Sequence, residues 1–172
     1  RILPEKGTDL ILDACEVLGE KNDFVVDFYG PIEDSYSLKF LSKIKNLSMV
    51  HYKGFLDLRE VKNYAVLFEY DVMLFPTFWY GEGFPGVIVD SYIAGLPVIA
   101  SDWSMNREII EDGKTGWIIP YKSLDALVKQ MVHVINNCNE LNQMRTNCVL
   151  RAKNFSIENI ITEDLLIKIG LN

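Results

Sequence analysis

The chain has 172 residues, of which 49% are hydrophobic and 24% charged, the makeup of a folded domain in water with a core of its own. A formal net charge of -7 argues against nucleic acid as a partner, because phosphate contacts need a basic face. It also argues against adhesion of this domain to an anionic membrane surface. Cys15, Cys138 and Cys148 show no C-x-x-C spacing and are odd in number. They read as a buried, reduced set in a cytosolic protein. His51 and His133 have no zinc-like spacing, and no apolar run is long enough to span a bilayer.

In chain order, short apolar runs alternate with amphipathic stretches. Strands are predicted over 24–29, closed by Gly30-Pro31; over 49–53, closed by Gly54; over 71–75, stopped by Pro76; over 97–101; and over 116–119, ended by Pro120. Helices are predicted over 9–18, 35–44, 58–68 and 85–94, with three more beginning near Ser123, Glu140 and Ser156. Ser123 with Ala126, Ser156 with Asn159 and Asp57 with Glu60 offer helix caps, Asp57 with Glu60 coming closest to a capping box. Such alternation implies an α/β fold, a doubly wound parallel sheet with helices on both faces, followed by extra C-terminal helices. Arg1-Ile2-Leu3-Pro4 reads as the middle of a polypeptide, so the sequence is expected to be one domain, 1–172, of a longer protein.

In such sheets ligands bind where the carboxyl ends of strands meet helix starts. That edge should carry Gly30-Pro31, Gly54-Phe55, the loop 77–85 and the stretch 102–106. Within the loop, Gly81, Gly83 and Gly86 have the spacing G-x-G-x-x-G, and Asp102 follows about as far on as a dinucleotide fold's ribose-binding acid would. Three features oppose a dinucleotide. The pattern falls after two earlier strand–helix units, the turn is not tight, and Glu82 and Pro85 stand where a pyrophosphate wants neutral, donating backbone. Pro85 suits the first position of a helix, and a carboxylate at a helix start gains from the dipole, so Glu82 has a purely structural reading. The functional reading is a ligand with both hydroxyls and phosphates: the carboxylate accepts from sugar hydroxyls while nearby amides and the helix start receive a phosphate. A nucleotide sugar carries both groups.

A flavodoxin-like receiver would need a phosphoacceptor Asp at the carboxyl end of a strand, whereas Asp71 lies at a strand's start. A non-catalytic nucleotide-binding α/β domain remains a further alternative.

Arg1 through Gly7, with Arg1, Lys6 and Gly7 in the pattern R-x-x-x-x-K-G, resembles a segment of the retaining GT-B glycosyltransferases of group 1 (family four). Glu82-Gly83-Phe84-Pro85 followed by Asp90 is similar to that family's E-x7-E motif. The stretch 95–101, GLPVIAS, and Glu108 with Asp112-Gly113 and Thr115-Gly116 resemble its succeeding stretches, in the same order.

The resemblance implies the Rossmann-like, donor-binding half of a GT-B fold. Arg1 and Lys6 would hold the donor's diphosphate and stabilise the leaving nucleotide, and Glu82 would bind donor-sugar hydroxyls. Backbone N–H groups of Gly83, Phe84 and Gly86 would line sugar and phosphate; Pro85 has no N–H to give. Gly30 would form a turn near the phosphates, and Gly54-Phe55 would flank the base, although Phe55 equally suits a core. Asp90 stands where the family has a second Glu for the ribose and is one methylene shorter. Trp79 and Tyr80 would contact sugar or brace the loop.

By the same resemblance, a glycosyl group passes from a nucleoside-diphosphate sugar to an acceptor hydroxyl with retention, in cell-surface polysaccharide or glycolipid synthesis. No obligate metal or other cofactor is expected. The implied partners are a nucleotide sugar and the protein's own N-terminal acceptor-binding domain, which with this domain's first strand would precede Arg1. The implied location is the cytoplasm, with membrane contact only through that other domain. A related epimerase or hydrolase of sugar nucleotides is the alternative activity.

Overall fold

The computed structural model describes residues 1–19, 22–156 and 159. Five short strands run through it: β1 (Val26–Phe28), β2 (Val50–Tyr52), β3 (Met73–Phe75), β4 (Val98–Ser101) and β5 (Gly116–Ile119). Each falls within its expected span. All pairings are parallel, with Val26 opposite Val50, Met73 opposite Val98, and Val98 opposite Gly116.

Instead of the single sheet expected, the strands of the described residues form two hydrogen-bonded sets, β1-β2 and β3-β4-β5. The remaining edges of β1 and β3 line one cavity. In a parallel ladder successive residues turn their backbone groups to opposite sides. The Val26 N–H donates to the Met49 carbonyl, the Phe28 carbonyl accepts from Lys53, and the Met73 N–H donates to Pro97. Asp27 and Leu74 therefore turn their backbone groups toward that cavity.

The side chains of the three-stranded set alternate between two cores, as expected for a sheet covered on both faces. Leu74, Ile99 and Ile119 belong to one, with Leu12, Phe40 and Leu127. Phe75, Val98, Ala100 and Ile118 belong to the other, with Ile88 and Tyr92. The helices are α1 (Thr8–Leu18), α2 (Asp34–Ile44), α3 (Tyr64–Leu67), α4 (Gly86–Ile93), α5 (Asn106–Ile109), α6 (Leu124–Asn136) and α7 (Cys138–Ala152). α1 packs on α6 and α4 on α7. α1 is also tied to α2: Asp9 accepts from the Tyr36 hydroxyl at 2.9 Å and from Lys39 at 2.8 Å, and Lys43 pairs with Asp13. No helix among the described residues is long and apolar enough to cross a membrane.

Four expectations need correction or limits. The helix over 58–68 is only a 3-10 turn at Val61–Asn63 and the four-residue α3. Asp57 caps neither, because its carboxylate is taken by the backbone N–H and the guanidinium of Arg59. α5 is an element the sequence reading lacked. Cys15 and Cys148 are buried, but Cys138, at the exposed junction of α6 and α7, is not; all three thiols are free. Ser123 does cap α6, accepting from the Ala126 N–H at 3.3 Å. The last helix, expected from Ser156, lies outside the described residues.

Candidate functional site

The site begins with the chain's entry into α1. Pro4–Lys6 form a 3-10 turn, and Gly7 follows with φ +79°. A Cβ at Gly7 would lie 2.3 Å from the carbonyl oxygen of Pro76, so only glycine lets this turn press against the end of β3. The contact is fastened by the Phe78 N–H, which donates to the Glu5 carbonyl at 2.8 Å. Lys6 is thereby delivered to the loop that leaves β3.

That loop folds back so that the Glu82 carboxylate meets Lys6. The Lys6 ammonium donates to Glu82 Oε2 at 2.5 Å, and the hydroxyl of fully buried Thr77 donates to the same oxygen at 3.0 Å. The Glu82 side chain is only 8% exposed and that of Lys6 21%. Little water screens the pair, and both hydrogen bonds to the carboxylate are charge-assisted. The Trp79 ring covers the Lys6 ammonium, with its centroid 4.5 Å away. From the end of β4, Ser101 donates to the Thr77 carbonyl, Trp103 Nε1 to the Trp79 carbonyl at 2.9 Å, and the Ser104 hydroxyl to the Glu82 carbonyl at 2.7 Å. Two adjacent strand ends thus hold the acid in place.

The other expected residues gather around this pair to different degrees. A cavity of about 820 Å³ is lined by Arg1, Lys6, Gly30, Phe55 and Glu82, and also by Phe84, Pro85, Gly86 and Asp90. Gly54 stands one layer back, its carbonyl accepting from the Gly30 N–H at 2.7 Å. Gly83 sits on the other side of the loop, its carbonyl 3.5 Å from the Ser104 hydroxyl. The Gly86 N–H, expected to face the ligand, donates to the Phe84 carbonyl at 3.0 Å. Arg1 turns its guanidinium to Glu33, 3.6 Å away. Phe55 is 68% exposed, so it is not a core residue. Phe84 is half-exposed and rests on the ring of Phe155. Trp79 braces the loop, whereas Tyr80 points into solvent.

Asp90, on α4, accepts from the Tyr64 hydroxyl at 2.6 Å. Burial, reinforced by that hydrogen bond, pushes the Tyr64 phenol up to about 12, so it remains a donor at neutral pH. The sequence reading placed Thr77, Trp103 and Ser104 on this edge, within 77–85 and 102–106, without giving them roles, and it did not single out Tyr64. Asp102, which suggested a dinucleotide's ribose acid, instead makes an exposed fork with Arg107 at 2.5 and 2.8 Å.

The cavity has two chemically distinct parts. Its inner part lies between β1 and β3 and is walled by apolar residues such as Ile11, Leu74, Met131 and Val134. Its mouth holds Lys6, Glu82, Asp90, the Gly30 turn and the start of α4. A cation, two carboxylates and a helix N-terminus suit a ligand that is anionic at one end and rich in hydroxyls at the other. Among the described residues, no group of three His, Cys, Asp or Glu side chains could hold a metal ion.

The chain resembles known proteins in sequence and in fold. An uncharacterised 41.2 kDa protein in the cps region of Klebsiella pneumoniae is 32% identical over 137 residues, covering 79% of this chain and 36% of that protein. The amylovoran biosynthesis glycosyltransferase AmsK of Erwinia amylovora is 30% identical over 135 residues, covering 74% of this chain and 32% of its own length. The chain thus spans about a third of these relatives. In fold it resembles HepE of Anabaena, crystallised in complex with UDP (TM-score 0.82, 18% identity, 99% of this chain and 46% of that one) and also with UDP-glucose. Residues 1–151 match the family of glycosyl transferases group 1, and the chain belongs to that family.

Proposed function

We propose that this chain is the donor-binding domain of a glycosyltransferase that moves a glycosyl group from a nucleoside-diphosphate sugar to an acceptor hydroxyl with retention of configuration. One observation carries the reading: Lys6 and Glu82, 76 positions apart, meet beside the start of α4 at the carboxyl edge of the strands. In this reading the Glu82 carboxylate accepts from the donor sugar's hydroxyls. Lys6 and Arg1 bind the diphosphate and stabilise the charge that develops on the leaving group, as fixed cations do in a closed site. Asp90, oriented by Tyr64, takes the ribose, and Phe55 lies against the base. The Gly30 turn, Phe84 and the start of α4 at Gly86 line the space for sugar and phosphates. No metal is required, because the cations and the helix start offset the diphosphate charge. The name of AmsK and the UDP complexes of HepE support a nucleotide sugar and a polysaccharide product.

For the whole protein we propose a second, acceptor-binding domain preceding this one and a cytoplasmic location. We also propose that a further parallel strand, leading into Arg1, fills the inner part of the cavity. Open strand edges on both sides and apolar walls suit backbone and aliphatic side chains, not a diphosphate.

Calorimetric titration of the whole protein with UDP and UDP-glucose tests the functional reading. Binding of at least one is expected, and Glu82→Gln should weaken UDP-glucose about tenfold relative to UDP, the loss of one charge-assisted contact. No affinity for either ligand, or a Glu82→Gln protein with an unchanged ratio of the two affinities, would count against it.

A further inference from the structure

A second recess of about 250 Å³ is lined by Tyr80, Glu82, Trp103 and Ser104. Glu82 is the residue the two cavities share. Trp103 is held in place, its indole N–H donating to the Trp79 carbonyl and its ring stacked, tilted, on Tyr121 at 5.4 Å. Its hydrogen-bonding atom is thus already used within the protein, and what its ring adds to the recess is an apolar, electron-rich surface. Tyr80, opposite, is 95% exposed, and Tyr121 is half-exposed.

The backbone here is unusual as well. Among the described residues only Ser104 (φ +49°) and Lys122 (φ +58°) are non-glycine residues with positive φ. Each directly follows one ring of the Trp103–Tyr121 pair. Such conformations cost energy and persist where a surface must keep a set shape. Lys122 also places its ammonium 4.7 Å over the ring of Phe78, on the same loop as Tyr80, which joins the third loop to the recess.

Aromatic faces beside hydroxyl and carboxylate groups suit one ligand chemistry. A pyranose ring has an apolar face of C–H groups, which meets the electron-rich face of an aromatic ring, and an edge of hydroxyls for polar partners. Resting on the function proposed above, we infer that Trp103 and Tyr80 form a stacking subsite for a sugar ring of the acceptor. If Glu82 holds the donor sugar from the large cavity, a ring in this recess has that same residue as a neighbour. A glycosyl transfer needs its second substrate next to the donor sugar.

Saturation-transfer NMR on the whole protein, with UDP present in excess, provides the test. The probes are the methyl pyranosides of glucose, galactose and N-acetylglucosamine. At least one should receive saturation on its ring protons. Trp103→Ala and Tyr80→Ala should each weaken that pyranoside about three- to tenfold, the effect of one aromatic contact. Tyr80→Phe should restore most of the loss, and UDP affinity should be unchanged in both Tyr80 variants. Tyr80 is too exposed for its removal to unfold the protein, so Tyr80→Ala keeps the test valid if Trp103→Ala disturbs the loop that Trp103 holds. The inference is overturned if no pyranoside binds, if both alanine variants bind it as the parent does, or if UDP weakens in parallel in Tyr80→Ala, which would assign the ring to the donor. Pyranoside binding without UDP binding would support the recess and refute the donor site.

Discussion

Among the glycines of this chain, the ones that form a recognisable pattern are not the ones the backbone needs most. Gly83 and Gly86, two members of the G-x-G-x-x-G spacing, have neither positive φ nor any atom within 4 Å of an added Cβ. Gly7, outside the pattern, has both a left-handed φ and a backbone oxygen in the way. Gly7→Ala should therefore cost about 2–4 kcal/mol, combining the left-handed penalty with displacement of Pro76, and Gly86→Ala less than about 1 kcal/mol. Urea denaturation of the two variants checks the contrast; equal losses would contradict it. The spacing was legible but its cause was not. A dinucleotide fold uses such glycines for a tight turn, whereas here Gly81 lies under the Trp79 ring and the other two border open space.

At the scale of elements, hydrophobic period located all five strands and the longer helices, because each buries a regular stripe. It failed where packing is slight. The stretch 58–68 alternates plausibly, yet Val61 and Phe68 are largely exposed, so too little is buried to sustain a helix. The one α-helical turn that does form, α3, begins with Tyr64, the partner of Asp90. Between α1 and α2 the fold relies on charge. Burial works to raise the Asp9 carboxyl, but hydrogen bonds from Lys39 and Tyr36 outweigh it and hold the group below its usual 3.8. With the folded value depressed, the unfolded chain takes up the proton first. The contribution is complete above pH 3.8 and is lost as pH falls through the lower, folded value. Asp9→Asn should thus be less stable than the parent at neutral pH, with the difference shrinking below that point. Thermal melts across pH 2–7 measure this, and a constant difference would refute it.

For the whole molecule, the order of helices and strands on both faces could be read from sequence, but the division into two strand sets could not, because strand neighbours are set by the whole chain. If a parallel strand leading into Arg1 occupies the gap, it should accept from the amides of Asp27 and Leu74. In the whole protein these two should then exchange with deuterium as slowly as Val26 and Met73, whose amides already donate to Met49 and Pro97. Exchange of Asp27 and Leu74 at the rate of exposed loop amides would mean that the gap stays open.

In the proposed donor site, the meeting of Lys6 with Glu82 would also act as a filter. A guest that offers only phosphates must pull the ammonium away and leave behind a carboxylate with almost no water to solvate it, which is costly. A guest that brings hydroxyls along with its phosphates replaces the donor it removes. Inorganic phosphate and pyrophosphate would then be poor competitors despite their charge, and a nucleotide without its sugar would bind less tightly than one that carries it. A domain that binds as proposed would favour the loaded donor before any chemistry begins.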